Sequence, residues 1–365
     1  MKIDTVPAGS LNGDHLKCWL DIQRDNPELR SPFFHPQYAR EAAAVFGNVE
    51  VAILEEGGEP AGFFAFQRTA RNVGIPVGGS LNDFQGVVAR PGFAFDAAEL
   101  LRGCRLSGLR FTQLLASQQP FQPHVWFTED SPSMDLSAGF ENFCRQRRAA
   151  GSRLISQTQG KRRAAIHKLG PLRFADNTTD PRVLESWIAW KSRQYARIRA
   201  VNPLAKPGTL DFLHRLLALR GADFQGTLSA VYFGDRLAAV HLGMRCRNVL
   251  HVWFPTYNEE LAKYSPGLIY LVQQAEIAAS LGVDRIDLGC GDENFKLRLR
   301  NSGTQIAVGA VGLGMLANSF QRSWLGTKRW VQSSRFRGPA RAVVRGIRGL
   351  FLYGLHHDFK SRRSS

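Results

Sequence analysis

Acid, sulfur and long apolar runs are what this chain has least of. Of its 365 residues only 31 are Asp or Glu, against 47 Lys or Arg, which gives a formal net charge of +16. Such an excess argues for an anionic partner and against a cationic one. The five cysteines, Cys18, Cys104, Cys144, Cys246 and Cys290, are scattered, with no CxxC pair. An odd count without ligand spacing argues against a disulfide framework and a zinc site, so no metal is expected, and reduced thiols suit the cytoplasm. The longest weakly polar run, near Ala307 to Leu316, is too short to span a bilayer. The N-terminal stretch MKIDTVPAGSLNGDH lacks the apolar core of a secretory signal. What remains, 44% hydrophobic and 21% charged, is the composition of a folded chain with room for two domains.

The positive charge is concentrated. Arg145 to Arg173 holds nine Lys or Arg and no Asp or Glu, and Gln321 to Ser365 holds eleven against Asp358 alone. Nucleic acid, a membrane surface or a phosphorylated small molecule would each suit these segments, and so would water. Near the end, Val343, Val344, Ile347, Leu350, Phe351 and Leu355 fall at helical spacing opposite Arg341, Arg345 and Arg348. The spacing predicts a basic amphipathic helix, suited to an anionic inner leaflet or to packing on a protein partner.

Two stretches echo one another. VEVAILEEGGEPAGFFAFQR (Val49 to Arg68) and TLSAVYFGDRLAAVHLGMR (Thr227 to Arg245) each read as strand, Gly-containing turn and strand. Helical patterns precede both, at Pro36 to Phe46 and Thr209 to Leu219. The second copy continues with a strand at Val249 to Phe254. A helix follows, opened by Ser265, Pro266 and Gly267, then a short strand ending in Asp287-Leu288-Gly289. Pro266 suits the first helical turn and Ser265 its cap. Gly291-Asp292-Glu293-Asn294-Phe295-Lys296 then forms an acidic turn with a lysine. Hairpins with one crossover helix predict an α+β sheet.

That order resembles the C-terminal half of the GNAT-like acyltransferases of the CelD type. These are associated with bacterial cellulose and exopolysaccharide synthesis and are distantly similar to the Fem peptidyl transferases. The residues that carry the resemblance are Tyr264-Ser265-Pro266-Gly267, Asp287-Leu288-Gly289, and Gly291-Asp292 with Lys296; Ser80 to Gly86 is similar to the family's DxQG-like loop. The resemblance implies tandem GNAT-like (acyl-CoA N-acyltransferase) halves with mixed sheets, plus the basic tail. The expected boundaries are 1–145 for the first half, 146–172 for a basic helical connector, 173–317 for the acyltransferase half and 318–365 for the tail. It also implies an acyl-CoA donor, most commonly acetyl-CoA, held where two central strands splay.

Candidate residues follow. For the donor they are Ser265, Gly267, Leu268 and Lys296. Amides at a helix N-terminus suit a pyrophosphate, although Ser-Pro-Gly offers fewer donors than the usual Gly-rich loop because proline has none. The competing readings are a plain helix cap and a salt bridge from Lys296 to Asp292. Acyl transfer needs a base and oxyanion donors. His241, with Ala239 and Gly243 on its face, and Asp292 are the candidate bases, and Asp287 an orienting carboxylate. A core histidine, a turn residue and a strand-end cap are the alternatives. Phe295 stands where many family members carry tyrosine beside the lysine, so no tyrosine acid is available there. Asp83, Gln85 and Lys191 are the acceptor-side candidates, with a structural turn as the alternative for the first two.

The function this implies is transfer of an acyl group to an amine or hydroxyl of a sugar or nucleotide sugar in polysaccharide biosynthesis. A Fem-like transferase using aminoacyl-tRNA is the alternative within the enzyme class. A non-catalytic GNAT scaffold gripping nucleic acid through Lys161-Arg162-Arg163 and the tail is the alternative outside it. The location expected is cytoplasmic, with peripheral contact of the tail on the inner membrane face.

Overall fold

The computed structural model describes residues 1–291 and 293–312; Asp292 and the basic tail lie outside the described residues. In chain order the strands and helices begin with β1 (Lys2–Pro7), α1 (Gly13–Asp25), α2 (Pro36–Phe46), β2 (Val49–Glu56) and β3 (Glu59–Arg68). They continue with β4 (Val73–Ile75), β5 (Val88–Ala89), α3 (Ala97–Gly103), β6 (Gly108–Leu115), β7 (Val125–Asp135), α4 (Phe140–Ala149) and α5 (Leu154–Leu169). Next come β8 (Leu172–Ala175), α6 (Pro181–Arg197), α7 (Thr209–Ala218), β9 (Phe224–Phe233), β10 (Arg236–Cys246) and β11 (Val249–Tyr257). Last are α8 (Pro266–Ser280), β12 (Arg285–Asp287), α9 (Asn294–Leu299) and β13 (Ser302–Val311).

The chain divides into two compact units. Among the described residues, the first comprises 1–27, 42–129 and 305–312; the second comprises 28–41 and 130–304 without 292. In the first, the strand order is β1-β2-β3-β4-β6-β13, with β5 on β3. All pairs are antiparallel except β4 with β6, which run parallel over Val73↔Gly108 and Gly74↔Leu109. Phe63, Phe64 and Phe66 of β3 are all fully buried. Trp19 of α1 stacks on Phe63 at 5.0 Å, while Phe64 and Phe66 join a core with Leu100, Phe111 and Phe121. A strand covered on both faces reads as a near-continuous apolar run, which is why GFFAF shows no alternation.

The second unit repeats the plan: order β7-β12-β11-β10-β9-β8, with one parallel pair, β11 with β12. Helix α8 crosses between those two strands and is apolar around most of its circumference. Ile269, Leu271, Val272, Ala275 and Ala278 are buried, in one core with Val231, Leu250 and Ile286. A helix of this kind needs cover beyond the sheet. Part of it comes from α5, which buries Leu154, Ile155 and Ala165 in the same core. The basic segment expected as a connector contributes to α4 and α5 of this unit, with Arg145, Arg148, Arg153, Lys161, Arg163 and Lys168 exposed and Arg147 donating to Arg298 O. Both hairpins and both preceding helices lie where the sequence echo puts them. Among the described residues no helix is long and apolar enough to cross a membrane.

Candidate active site

The site begins with a short ladder. β11 and β12 pair over only three residues, Val249↔Arg285, Leu250↔Ile286 and His251↔Asp287, and then part. The parting coincides with a bulge between β10 and β11. The register jumps from Leu242↔Phe254 to Met244↔His251, so Gly243 alone opposes Val252 and Trp253. A bulge bends its strand and leaves one residue out of the ladder. The orphaned amide here is Trp253 N–H, which donates to Nε2 of His241 at 3.2 Å.

His241 is fully buried, and its pKa is pushed down to about 3 by burial first, then by His251 and Lys191. Accepting at Nε2 leaves the ring proton on Nδ1, so the imidazole is neutral with its lone pair committed. The small neighbour expected to make room for a ligand instead makes room for this ring. A Cβ on Gly243 would lie 2.3 Å from His241 Cε1 and 2.4 Å from the His251 carbonyl oxygen. His241 thus holds the bulge.

Asp287, 1% exposed, pairs with Arg285 at 2.9 Å. Its register partner is His251 and not His241. The buried His251 is a site neighbour the sequence reading missed; nothing about one histidine in HVWF separates it from a core residue.

At the mouth of α8, Ser265 adopts a left-handed conformation with φ +55°. This costs a non-glycine residue on the order of 1 kcal/mol. The expected side-chain cap is not made. The Ser265 carbonyl accepts from Leu268 N–H (3.0 Å) and Ile269 N–H (3.2 Å), and its hydroxyl accepts from Lys161 Nζ at 2.6 Å. Leu268 N–H is therefore engaged. A Cβ on Gly267 would touch only Tyr257 Cδ1, at 3.4 Å, so packing alone does not demand glycine there. Lys161, on α5, places a cation at the positive end of the α8 dipole, an unfavourable pairing that an anion would relieve. The serine and lysine are 104 positions apart, which hides the contact from sequence.

Lys296 Nζ donates to Cys290 O (2.9 Å) and Gly289 O (3.3 Å) and pairs with Glu293 at 3.2 Å. These contacts occupy its three donors, and the expected partner Asp292 lies outside the described residues. A Cβ on Gly291, at φ +140°, would lie 2.2 Å from Glu293 Oε2. The turn needs glycine to fold the carboxylate back on the lysine.

Lys191 is buried on α6, whose inward stripe is Val183, Trp187 and Lys191, one residue every four. Trp187 Nε1 donates to Phe254 O at 2.8 Å and Lys191 Nζ to Pro255 O at 3.0 Å, both beyond the point where β11 leaves β12. Asp83 and Gln85 belong to the first unit. The Gln85 backbone bonds Gln113 O and Leu115 N–H (2.8 and 2.9 Å), while its buried side-chain amide has no partner among the described residues.

The second unit thus has two parallel strands that part beside a helix N-terminus, with a bulge at the parting. Residues 152–297 match the family described as an acetyltransferase (GNAT) domain, a segment that contains every second-unit candidate named above. The structure is similar to the C-terminal domain of a putative lysylphosphatidylglycerol synthetase from Agrobacterium fabrum, with TM-score 0.53 and 11% identity over 85% of this chain and 94% of that one. It is also similar to FemX, with TM-score 0.53 and 9% identity over 87% and 100%. A third likeness is to a conserved protein of unknown function from Bacteroides thetaiotaomicron, with TM-score 0.51 and 8% identity over 81% and 97%. At such identities the likeness shows the fold. No curated protein matches the chain. The matched domain and the fold support an acyltransferase, and they imply an acyl-CoA co-substrate.

Proposed function

We propose that the two units are tandem GNAT-like halves, and that the second moves an acyl group, acetyl in the simplest case, from acyl-CoA to an amine or hydroxyl of a sugar or nucleotide sugar. The observation that carries this reading is the Lys161 amine set against the N-terminus of α8, next to strands that part after His251 and Asp287. Lys161, the Ser265 hydroxyl and the Gly267 amide would hold the donor's phosphates, and the parted strands its acyl arm. Bound donor supplies an activated thioester carbonyl; the protein orients it and keeps water away. His241 serves by holding the bulge open.

The test is acetyl-CoA binding by calorimetry on the full chain. Lys161→Ala should weaken it by about tenfold, close to 1.4 kcal/mol. Gly267→Ala should weaken it comparably while leaving the melting temperature unchanged or slightly raised, since alanine is the better helix former. Absence of acetyl-CoA binding by the unaltered chain at millimolar concentration would sink the reading. The exposed cations Arg148, Lys161 and Arg163 of α4 and α5 favour one second reading, a donor carried on tRNA. Tight, steeply salt-dependent tRNA binding in place of acetyl-CoA binding would select it.

A further inference from the structure

Among the described residues Lys191 is the one buried cation of the second unit, and its surroundings weaken the ammonium relative to the amine. Its Nζ meets two acceptors, Pro255 O at 3.0 Å and Gln194 Oε1 at 3.1 Å. Among the described residues it makes no ion pair. An ammonium has three N–H donors to place, whereas a neutral amine has two donors and one lone pair. The count of acceptors fits the neutral form, with the lone pair at the third corner.

The charged groups that face it act in the same direction on balance. Burial disfavours the cation most, and Lys296 from α9 repels it. Glu293, on the turn before α9, opposes them. The result is a pKa lowered to about 8. His241 of β10, whose register partner is Pro255, is neutral and adds no charge. On its own helix the Tyr195 ring lies 5.4 Å from Nζ, and the Phe254 ring 5.9 Å; both favour the cation weakly.

Position matters as much as protonation. Pro255 lies on the part of β11 that has left β12, and Glu293 and Lys296 follow the end of β12. Lys191 therefore stands at the open end of the strand pair, where a donor thioester would present its carbonyl.

We propose that Lys191 is the general base of the transfer, a catalytic residue that takes the proton from the attacking acceptor; this rests on the acyl-CoA reading above. In that step the acceptor nitrogen or oxygen attacks the thioester carbonyl carbon. A C–N or C–O bond forms and the C–S bond breaks, its electron pair leaving on sulfur. The acceptor's proton passes to the Lys191 lone pair, and from the resulting ammonium to the departing thiolate. The products are an amide or ester and a free thiol, with Lys191 neutral again. With a pKa of about 8, roughly a tenth of the side chain is free amine at pH 7 and the fraction rises with pH, which is the range a general base needs.

The experiment uses the full chain, Lys191→Met and Lys191→Arg. Methionine keeps the length and apolar stem, so the fold should survive the loss of two hydrogen bonds, to Pro255 O and Gln194 Oε1, at about 1 kcal/mol each. Nitrogen-15 NMR of lysine-labelled protein, with Lys191→Met used to assign the signal, should show Lys191 titrating near the value given above. A midpoint above about 10, the ordinary lysine value, would overturn the proposal without reference to any acceptor. With acetyl-CoA and glucosamine as probes, thiol release by Lys191→Met and Lys191→Arg should fall about 100-fold or more. Acetyl-CoA affinity should stay within about threefold, as expected for a group acting in the chemical step and not in donor binding. The alkaline-rising limb of the wild-type rate should disappear in Lys191→Met. Unchanged turnover in that variant would remove the base and leave the acyltransferase standing, whereas failure of the wild type to bind acetyl-CoA would remove both.

Discussion

Each unit contains one pair of parallel strands, and the two pairs end differently. In the first unit, β4 leaves β6 after Gly74↔Leu109, and the chain then returns to close the gap. Gln85 bridges Leu114 in parallel, bonded through its own backbone to Gln113 and Leu115. The space beside β4 is apolar: a Cβ on Gly74 would meet Leu106 Cδ1 at 2.8 Å and Leu109 Cδ1 at 3.0 Å. In the second unit, among the described residues, nothing rejoins β11 after His251↔Asp287, and the groups that reach the parting are Lys191, Lys296 and Glu293. The hairpins differ in the same sense. β3 fills its positions with Phe63, Phe64 and Phe66, whereas β10 offers Ala239, His241 and Gly243. One architecture thus has a copy whose parallel pair is rejoined and a copy whose pair is not, and the second copy places buried polar groups beside the parting.

The comparison breaks most visibly at glycine. Gly243→Val should destabilise the protein by more than about 4 kcal/mol, because both the imidazole and a backbone carbonyl stand in the way and the latter has nowhere to go. Gly62→Ala on the first-unit hairpin meets the Ala89 Cβ at 3.1 Å, with Ala89 Cα and the Val88 carbonyl oxygen in ordinary contact at 3.5 Å, and should cost about 1 kcal/mol. Urea unfolding of the two variants measures the difference. Equal losses would mean that the bulge imposes no special demand on β10.

Acid sharpens the contrast next. His241 and His35 of the second unit have pKa values lowered to about 3 and about 4, in each case chiefly by burial. The unfolded chain binds protons on these rings near the ordinary histidine value, while the folded chain does not until the pH is far lower. Their contribution is therefore fully present above that ordinary value and is lost as pH falls toward the folded one. The slope is up to about 1.4 kcal/mol per pH unit for each ring. His241→Leu should remove its share of that slope. At neutral pH the variant should cost about 1–3 kcal/mol, because Trp253 N–H is left without its acceptor. An unaltered acid profile in the variant would show that the ring is protonated in the fold.

Much of this arrangement was legible before any coordinates. The two hairpins, their preceding helices, the proline-started α8 and the short Asp287 strand follow from period, punctuation and turn chemistry, which are local. The roles of single polar residues were not legible, because each depends on a partner distant in sequence. His241 looked like a base since a histidine among alanine and glycine suggests space, yet its own ring fills that space and its nitrogen serves a bulge twelve positions later. Lys296 looked like a phosphate ligand, yet its donors return to its own turn. The Val183, Trp187, Lys191 spacing did carry a usable signal, a buried stripe that ends in an amine. Lys161 beside Ser265 carried none.

The smallest predicted effect bears on whether the first copy does no more than rejoin its strand pair. Gln85 needs its backbone for the closing bridge, and leucine would supply that equally well. Its side chain is 4% exposed, and neither the amide nitrogen nor the oxygen finds a partner among the described residues. An unsatisfied buried amide is a standing cost of about 1–3 kcal/mol that an apolar residue of similar size would remove. Gln85→Leu should therefore raise stability by about 1 kcal/mol. If the amide is kept to read an acceptor, the same change should raise the acceptor KM several-fold with little change in kcat, the mark of binding shared by ground and transition states. A more stable protein with an unchanged acceptor KM would reduce the SLNDFQG loop to closure, and acceptor recognition would then have to come from the second copy itself.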